Sequence, residues 1–138
     1  MKKFVRILAL TLAAVLLCGM LASCAPAKDP EKAEKALKDE EYTVLTDDTV
    51  IPGLYKLAGY DLDKVVTGTK VVKDDEGKDK IEHVTIYYFA DKDNAEKAMD
   101  EIKKDSEDDK KEDTDWVEPT RSGKIVYYGT KAAIKAAR

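Results

Sequence analysis

The sequence predicts an α+β domain with a small antiparallel or mixed sheet of four to five strands. Two main helices are expected to pack on one face of that sheet, and a short helix is expected at the C-terminus. Runs rich in valine, isoleucine, threonine and tyrosine recur along the chain, and turn-forming residues separate them. Stretches with apolar residues at helical spacing lie between these runs and at both ends.

Capping residues and apolar spacing place the helices. The first is predicted over residues 30–41, where Asp29 is suited to the N-cap position. The second is predicted over residues 94–106, with Asp93 as its N-cap and its apolar side chains on one face. A short terminal helix is predicted after Thr130, whose hydroxyl suits an N-cap.

The strands follow from alternation and β-propensity. Residues 81–89 form the strongest predicted strand, and because both of its faces are partly apolar we expect it to be central in the sheet. Residues 74–79 predict the hairpin turn that joins it to a strand at residues 62–72. Residues 50–60 stay ambiguous, since proline and glycine interrupt them. Shorter strands are predicted at residues 42–46, from Trp116, and at residues 125–128.

The first 24 residues have the order of a secretory signal. Lys2, Lys3 and Arg6 give a positive start, residues 7–17 are uncharged and mainly apolar, and small residues then lead into a cysteine. Two other interpretations are an ordinary signal peptide cleaved elsewhere and an uncleaved membrane-spanning helix.

The end of this segment, Leu21-Ala22-Ser23-Cys24, resembles the lipobox of bacterial lipoproteins. The resemblance implies that residues 1–23 are removed as a signal peptide and that the Cys24 thiol carries fatty acyl chains such as palmitate. Residues 24–30 would then be a lipidated tether and residues 31–138 a single domain. Each buried CH₂ contributes about 0.8 kcal/mol, so two or more chains hold a protein stably in a bilayer.

The implied partner is therefore the lipid bilayer, and the implied location is the extracytoplasmic face of the cell membrane. In its general composition the chain is also similar to the short acidic lipoproteins of low-GC Gram-positive bacteria. Without Lys2, Lys3 and Arg6 it keeps 21 of its 24 basic side chains and all 28 acidic ones, a net charge of −7. This charge excludes a nucleic-acid partner and predicts repulsion from anionic lipid, so that only the tether would hold the domain at the membrane.

Catalytic and metal-binding patterns are weak. His83 is the only histidine, and its same-face strand neighbours, Ile81 and Thr85, provide no carboxylate. With Cys24 acylated, no cysteine or second histidine is left to complete a zinc site. The acidic stretch near residues 74–82 does not match the register of a calcium-binding loop. We therefore expect no enzyme activity, no cofactor and no metal.

Tyrosine is the one biased residue type, with seven tyrosines against two phenylalanines. An exposed aromatic face on two of the predicted strands would stack on a sugar or a peptide. Cross-strand packing of half-buried rings explains the same pattern, and we favour it. The candidate ligand-binding residues are Tyr87, Tyr88, Trp116, Tyr127 and Tyr128.

Three classes of function fit these observations. The first is a non-catalytic binding or interaction module with a membrane-protein partner. The second is a solute- or glycan-binding lipoprotein, which predicts a concave pocket containing Tyr87 or Tyr88 together with Trp116. The third is a small hydrolase of the cell envelope, which predicts His83 near a carboxylate and a hydroxyl.

Overall fold

The computed structural model describes residues 25–110 and 115–138. The predicted signal peptide and Cys24 lie outside this part of the chain. Within it, none of the helices combines the length and the hydropathy needed to cross a bilayer. In chain order the elements are α1 (Pro30–Asp39), β1 (Thr43–Asp47), α2 (Val50–Leu57), β2 (Leu62–Lys73), β3 (Asp79–Phe89), α3 (Lys92–Lys97), α4 (Met99–Asp109), β4 (Trp116–Ser122), β5 (Ile125–Thr130) and α5 (Lys131–Ala136).

The five strands form one antiparallel sheet in the order β1-β2-β3-β5-β4. This confirms the predicted fold class and the central position of residues 81–89. The hairpin predicted around residues 74–79 is also present, since Lys73 pairs with Asp79 at the end of β2 and the start of β3. The sheet has five strands without residues 50–57, which fold as α2 instead.

Helices cover both faces of the sheet, which differs from the prediction that they share one face. We call the face covered by α1 and α5 the α1 face, and the face covered by α2, α3 and α4 the α4 face. The cause is the alternation along β3: Val84, Ile86 and Tyr88 are buried on the α1 face, whereas Tyr87 and Phe89 are buried on the α4 face. With apolar residues on both faces, the central strand needs a helical layer on each side.

Caps explain where the helices begin. Asp29 accepts a hydrogen bond from the backbone N–H of Glu31, which confirms it as the cap of α1. The predicted cap at Asp93 is wrong, because Asp91 accepts the backbone N–H of Asn94 at 2.8 Å and the helix starts two residues earlier. The single helix predicted over residues 94–106 is two helices, α3 and α4, that meet at Ala98.

The N-terminal described residues pack against the domain. Pro26 is buried, and the N–H of Ala27 donates to the carbonyl of Ala137 at 2.8 Å. The hydroxyl of Tyr88 donates to the carbonyl of Ala27 at 2.9 Å. Ala25 and Ala27 also contact the apolar cluster of the α1 face. The segment assigned to the tether therefore adds to the core of the domain from Ala25 onward.

Candidate functional site

A cleft of about 430 Å³ opens on the α4 face, between α2 and α4. Helix α2 packs mainly on β2, while α4 packs on β4 and β5, so the two helices leave a gap between them over the middle of β3. We call this space the α2–α4 cleft. Its lining residues are Ile51, Leu54 and Tyr55 from α2, Val65, Thr67, His83, Thr85, Tyr87 and Tyr128 from the sheet, and Asp105, Asp108 and Asp109 from α4.

Asp105 joins the two helical walls to the floor of the cleft. Its Oδ2 accepts hydrogen bonds from the hydroxyl of Tyr55 at 2.7 Å and from the hydroxyl of Tyr87 at 3.1 Å. Burial raises the pKa of both tyrosines, and nearby Asp105 raises them further. Both phenols thus stay protonated donors in neutral water, and the carboxylate holds them in place.

Asp109, one helical turn further along α4, holds the neighbouring strand. Its Oδ2 accepts a hydrogen bond from the hydroxyl of Tyr128 at 2.5 Å and lies 3.9 Å from Nε2 of His83. Burial, followed by this hydrogen bond, raises the pKa of Tyr128. The two aspartates are four residues apart in α4, and the helical repeat therefore brings both to the cleft.

The imidazole of His83 is fixed by hydroxyls and an aromatic ring. Its Nε2 lies 2.8 Å from Oγ1 of Thr85, and its Nδ1 lies 3.5 Å from Oγ1 of Thr69. The indole of Trp116 lies nearly parallel to it, with 6.2 Å between ring centroids and 10° between planes. Thr85 and Asp109 lie on the Nε2 side of the ring and Thr69 lies on the Nδ1 side, so polar groups hold the imidazole at both nitrogens.

The cleft is negative. Three carboxylates, from Asp105, Asp108 and Asp109, line one wall, and none of the described lining residues is lysine or arginine. The hydroxyls of Tyr55 and Tyr87 both donate to Oδ2 of Asp105. Its other oxygen, Oδ1, accepts no hydrogen bond from the described residues. A wall of carboxylates over an apolar and aromatic floor raises the local concentration of cations.

The five predicted ligand-binding residues divide between the two faces of the sheet. Tyr87 and Tyr128 line the cleft, and Trp116 lies behind Tyr128, with 5.8 Å between ring centroids. Tyr88 and Tyr127 belong to the buried cluster of the α1 face and lie away from the cleft. The alternation of side chains along each strand separates the members of each adjacent pair.

The three residues that form the hydrogen bonds between α2, α4 and the sheet were not identified as site residues from the sequence together with Tyr87 and Tyr128: they are Tyr55, Asp105 and Asp109. The two aspartates have the four-residue spacing of one helical face, which was the available signal. That spacing is hidden in a stretch rich in aspartate and glutamate, where several pairs of carboxylates share it. Tyr55 comes from the segment whose secondary structure was ambiguous.

No group of three or more histidine, cysteine, aspartate or glutamate side chains is arranged to hold a metal ion in residues 25–110 and 115–138. Comparisons with protein-family models, with curated proteins and with solved structures found no match for this chain.

Proposed function

We propose that this protein is a lipid-anchored, extracytoplasmic binding protein that acts without catalysis and takes a small organic cation in the α2–α4 cleft. The observation that carries the proposal is the pairing of a carboxylate wall with an aromatic floor in a cleft that has no lysine or arginine among its described lining residues. The predicted lipobox at Leu21-Ala22-Ser23-Cys24 supports the anchor and the location.

The dimensions and chemistry of the cleft suit an ammonium group on a short apolar body. Its volume of about 430 Å³ falls in the range of about 300–1,000 Å³ typical of small-molecule sites. An ammonium donates to the outer oxygens of Asp105 and Asp109 in charge-assisted hydrogen bonds. Ile51 and Leu54 provide apolar contact on the opposite wall.

A sugar fits this cleft less well than an organic cation. Stacking on a sugar requires an open aromatic face, but Tyr87 and Tyr128 are only 4% and 1% exposed. Their rings pack against each other at 6.2 Å between centroids, and Tyr55 packs on Tyr87 at 5.7 Å. These contacts favour the role of the tyrosines as a rigid floor. A glycan ligand therefore has weaker support.

Isothermal titration calorimetry with a matched pair of probes tests the proposal. We expect phenylethylamine to bind and 2-phenylethanol, which has the same ring without the positive charge, to bind much more weakly. Asp105→Asn and Asp109→Asn should each lower the affinity for the amine by about tenfold to a hundredfold, because each removes a charged acceptor worth about 1.5–3 kcal/mol.

Asp75→Asn is the control for these substitutions. It makes the same change in net charge at an exposed position in the β2–β3 turn, distant from the cleft, and should leave the affinity unchanged. Equal binding of the amine and the alcohol, or loss of binding in Asp75→Asn as large as in Asp105→Asn, would contradict a cation site in the cleft.

A further inference from the structure

The charges of the domain are distributed unevenly. Residues 119–138 contain five basic side chains and no acidic one. Residues 24–118 therefore have a net charge of −12, whereas residues 24–138 together have −7. Three of the five, Lys131, Lys135 and Arg138, lie on α5 or directly after it and are exposed. The terminal helix is thus a basic surface on an acidic protein.

These three cations surround an apolar pocket. The pocket has a volume of about 270 Å³ and is lined by Val117, Tyr127 and Ile134, with Lys131, Lys135 and Arg138 around them. None of the three cations makes an ion pair with a described residue, although lysines elsewhere in the chain do. We call these six residues the C-terminal basic surface. Its positive charges are available to an anion outside the domain.

The C-terminal basic surface lies next to the point where the chain leaves the domain toward Cys24. Ala137 accepts the backbone hydrogen bond of Ala27, and Ala25 contacts the same apolar cluster as Ile134. Ala25 directly follows Cys24 in the sequence, and one residue spans at most about 3.6 Å. Acyl chains on Cys24 would therefore hold α5 close to the bilayer.

We propose that the C-terminal basic surface binds the headgroups of anionic phospholipids in the membrane that holds Cys24. The inference rests on the proposed attachment at Cys24. Each basic side chain near an anionic bilayer strengthens binding by about fivefold, and the effect falls off within about 10 Å. The acidic rest of the domain is repelled by the anionic bilayer. Attraction of the C-terminal basic surface and repulsion of the acidic residues together orient the domain. The acidic helix α4, on the opposite face of the sheet, would point away from the lipid.

This orientation reverses the expectation drawn from net charge alone. A chain with a net charge of −7 is expected to be pushed from anionic lipid as a whole. Because the basic side chains of residues 119–138 are gathered beside the attachment point, the part of the domain held nearest the bilayer has the opposite sign.

The test uses the full acylated protein in vesicles of phosphatidylcholine, with or without added phosphatidylglycerol. A fluorophore attached through Ala132→Cys, at an exposed position on α5, reports its distance from lipids that carry a quenching nitroxide. We expect quenching to increase when phosphatidylglycerol is added and to decrease in high salt. In the triple variant K131Q/K135Q/R138Q this increase should be lost.

The control variant is K92Q/K97Q/K103Q, which makes the same change in net charge on α3 and α4, on the opposite face of the sheet, and should quench like the parent protein. Quenching that is equal in the two kinds of vesicle, or unchanged in the α5 triple variant, would overturn the proposal.

Flotation with the same vesicles separates this inference from the proposed anchor. Flotation with both kinds of vesicle means that the anchor holds, and quenching then decides the inference. If the protein floats with neither, both proposals fail. Flotation only with phosphatidylglycerol means that the anchor fails while the basic surface binds, and loss of this flotation in K131Q/K135Q/R138Q would support the inference. Retention of flotation in that variant would overturn it.

Discussion

A few single side chains determine the charge and the rigidity of the α2–α4 cleft. Asp105 and Asp109 each hold tyrosine hydroxyls from other elements, so the rings beneath them have fixed positions. Three phenols donate to two carboxylates, and the pKa of each phenol is raised, with burial as the largest cause. A network of this kind is rigid when all of its members are satisfied. A cation that enters the cleft meets preformed acceptors.

Gly129 is the residue whose replacement should be most damaging in the sheet. Its φ is +144°, and a Cβ at this position would lie 2.1 Å from the carbonyl oxygen of His83. We expect Gly129→Ala to lower the free energy of unfolding by more than about 3 kcal/mol, because the backbone of β3 or β5 must shift. Urea denaturation followed by circular dichroism measures this.

Gly77→Ala provides the comparison for Gly129→Ala. Gly77 also has a positive φ, of +80°, but a Cβ there meets no atom within 4 Å. Gly77→Ala should lower the free energy of unfolding by only about 1 to 2 kcal/mol, the cost of holding alanine in a left-handed backbone conformation. Similar losses for the two alanines would show that the close approach of Gly129 to β3 has no energetic consequence.

Which tyrosines line the cleft could be predicted only in part. Alternation requires that Tyr87 and Tyr88 face opposite sides of the sheet, and the same holds for Tyr127 and Tyr128. The sequence does not identify which side carries the cleft, because that depends on where α2 and α4 pack. His83 has no carboxylate neighbour on its own strand, and the one that approaches it belongs to Asp109 on α4, 26 positions further along the chain.

At the level of elements, α2 shows how a local polar contact decides an ambiguous sequence. Its proline and glycine lower any helical propensity, and three of its apolar side chains are exposed. The carboxylate of Asp47 accepts the backbone N–H groups of Thr49, Val50 and Ile51 at 2.8 to 2.9 Å. These bonds satisfy the N–H groups at the start of the helix. Propensity alone does not reveal this contact.

The same contact makes α2 sensitive to pH. Hydrogen bonds from Ile51 and Thr49 hold the pKa of Asp47 below its usual range. A lowered pKa in the folded state means that the stabilisation is present above the ordinary aspartate pKa of about 3.9 and is lost as pH falls toward the folded value. Hydrogen exchange at residues 50–57 should therefore become faster, relative to intrinsic rates, as the solution is acidified through this range.

Asp47→Ala should produce the same loosening of α2 at neutral pH and remove its pH dependence. Asp48→Ala is the matched control, since the side chain of Asp48 caps no helix and is exposed. Protection of residues 50–57 that is equal in the two variants would contradict the capping role of Asp47. Because Ile51, Leu54 and Tyr55 line the cleft, loss of the cap should also weaken binding of phenylethylamine.

For the whole molecule, composition predicted the fold class but not the arrangement of its layers. The apolar residues on both faces of residues 81–89 indicated a central strand, and the sheet confirms it. A strand that is apolar on both faces also needs a helical layer on each side of the sheet, whereas the number of predicted helices does not indicate which face each helix covers. Net charge likewise does not show how the charges are distributed, because it sums the basic residues 119–138 with the acidic residues before them.

The proposed placement of the molecule at a membrane depends on the thiol of Cys24, and Cys24→Ala tests it. We expect this variant to remain an unprocessed precursor that incorporates no labelled palmitate, since acylation of the lipobox cysteine requires its sulfur atom. Cys18→Ala is the matched control: it removes the other cysteine, which lies within the predicted signal peptide, and should be processed and labelled normally.

Mass spectrometry of the N-terminal peptide and palmitate labelling distinguish these outcomes. Normal cleavage after residue 23 with lipid attached in Cys24→Ala would contradict the assignment. So would a parent protein whose Cys24 is unmodified and which is released into the medium. If Cys24 is acylated, the chain has almost no free length before Ala25, and the packing of Ala25 on the α1 face would keep α5 near the bilayer. Under this proposal the position of Ala25 determines which surface of the domain meets the lipid.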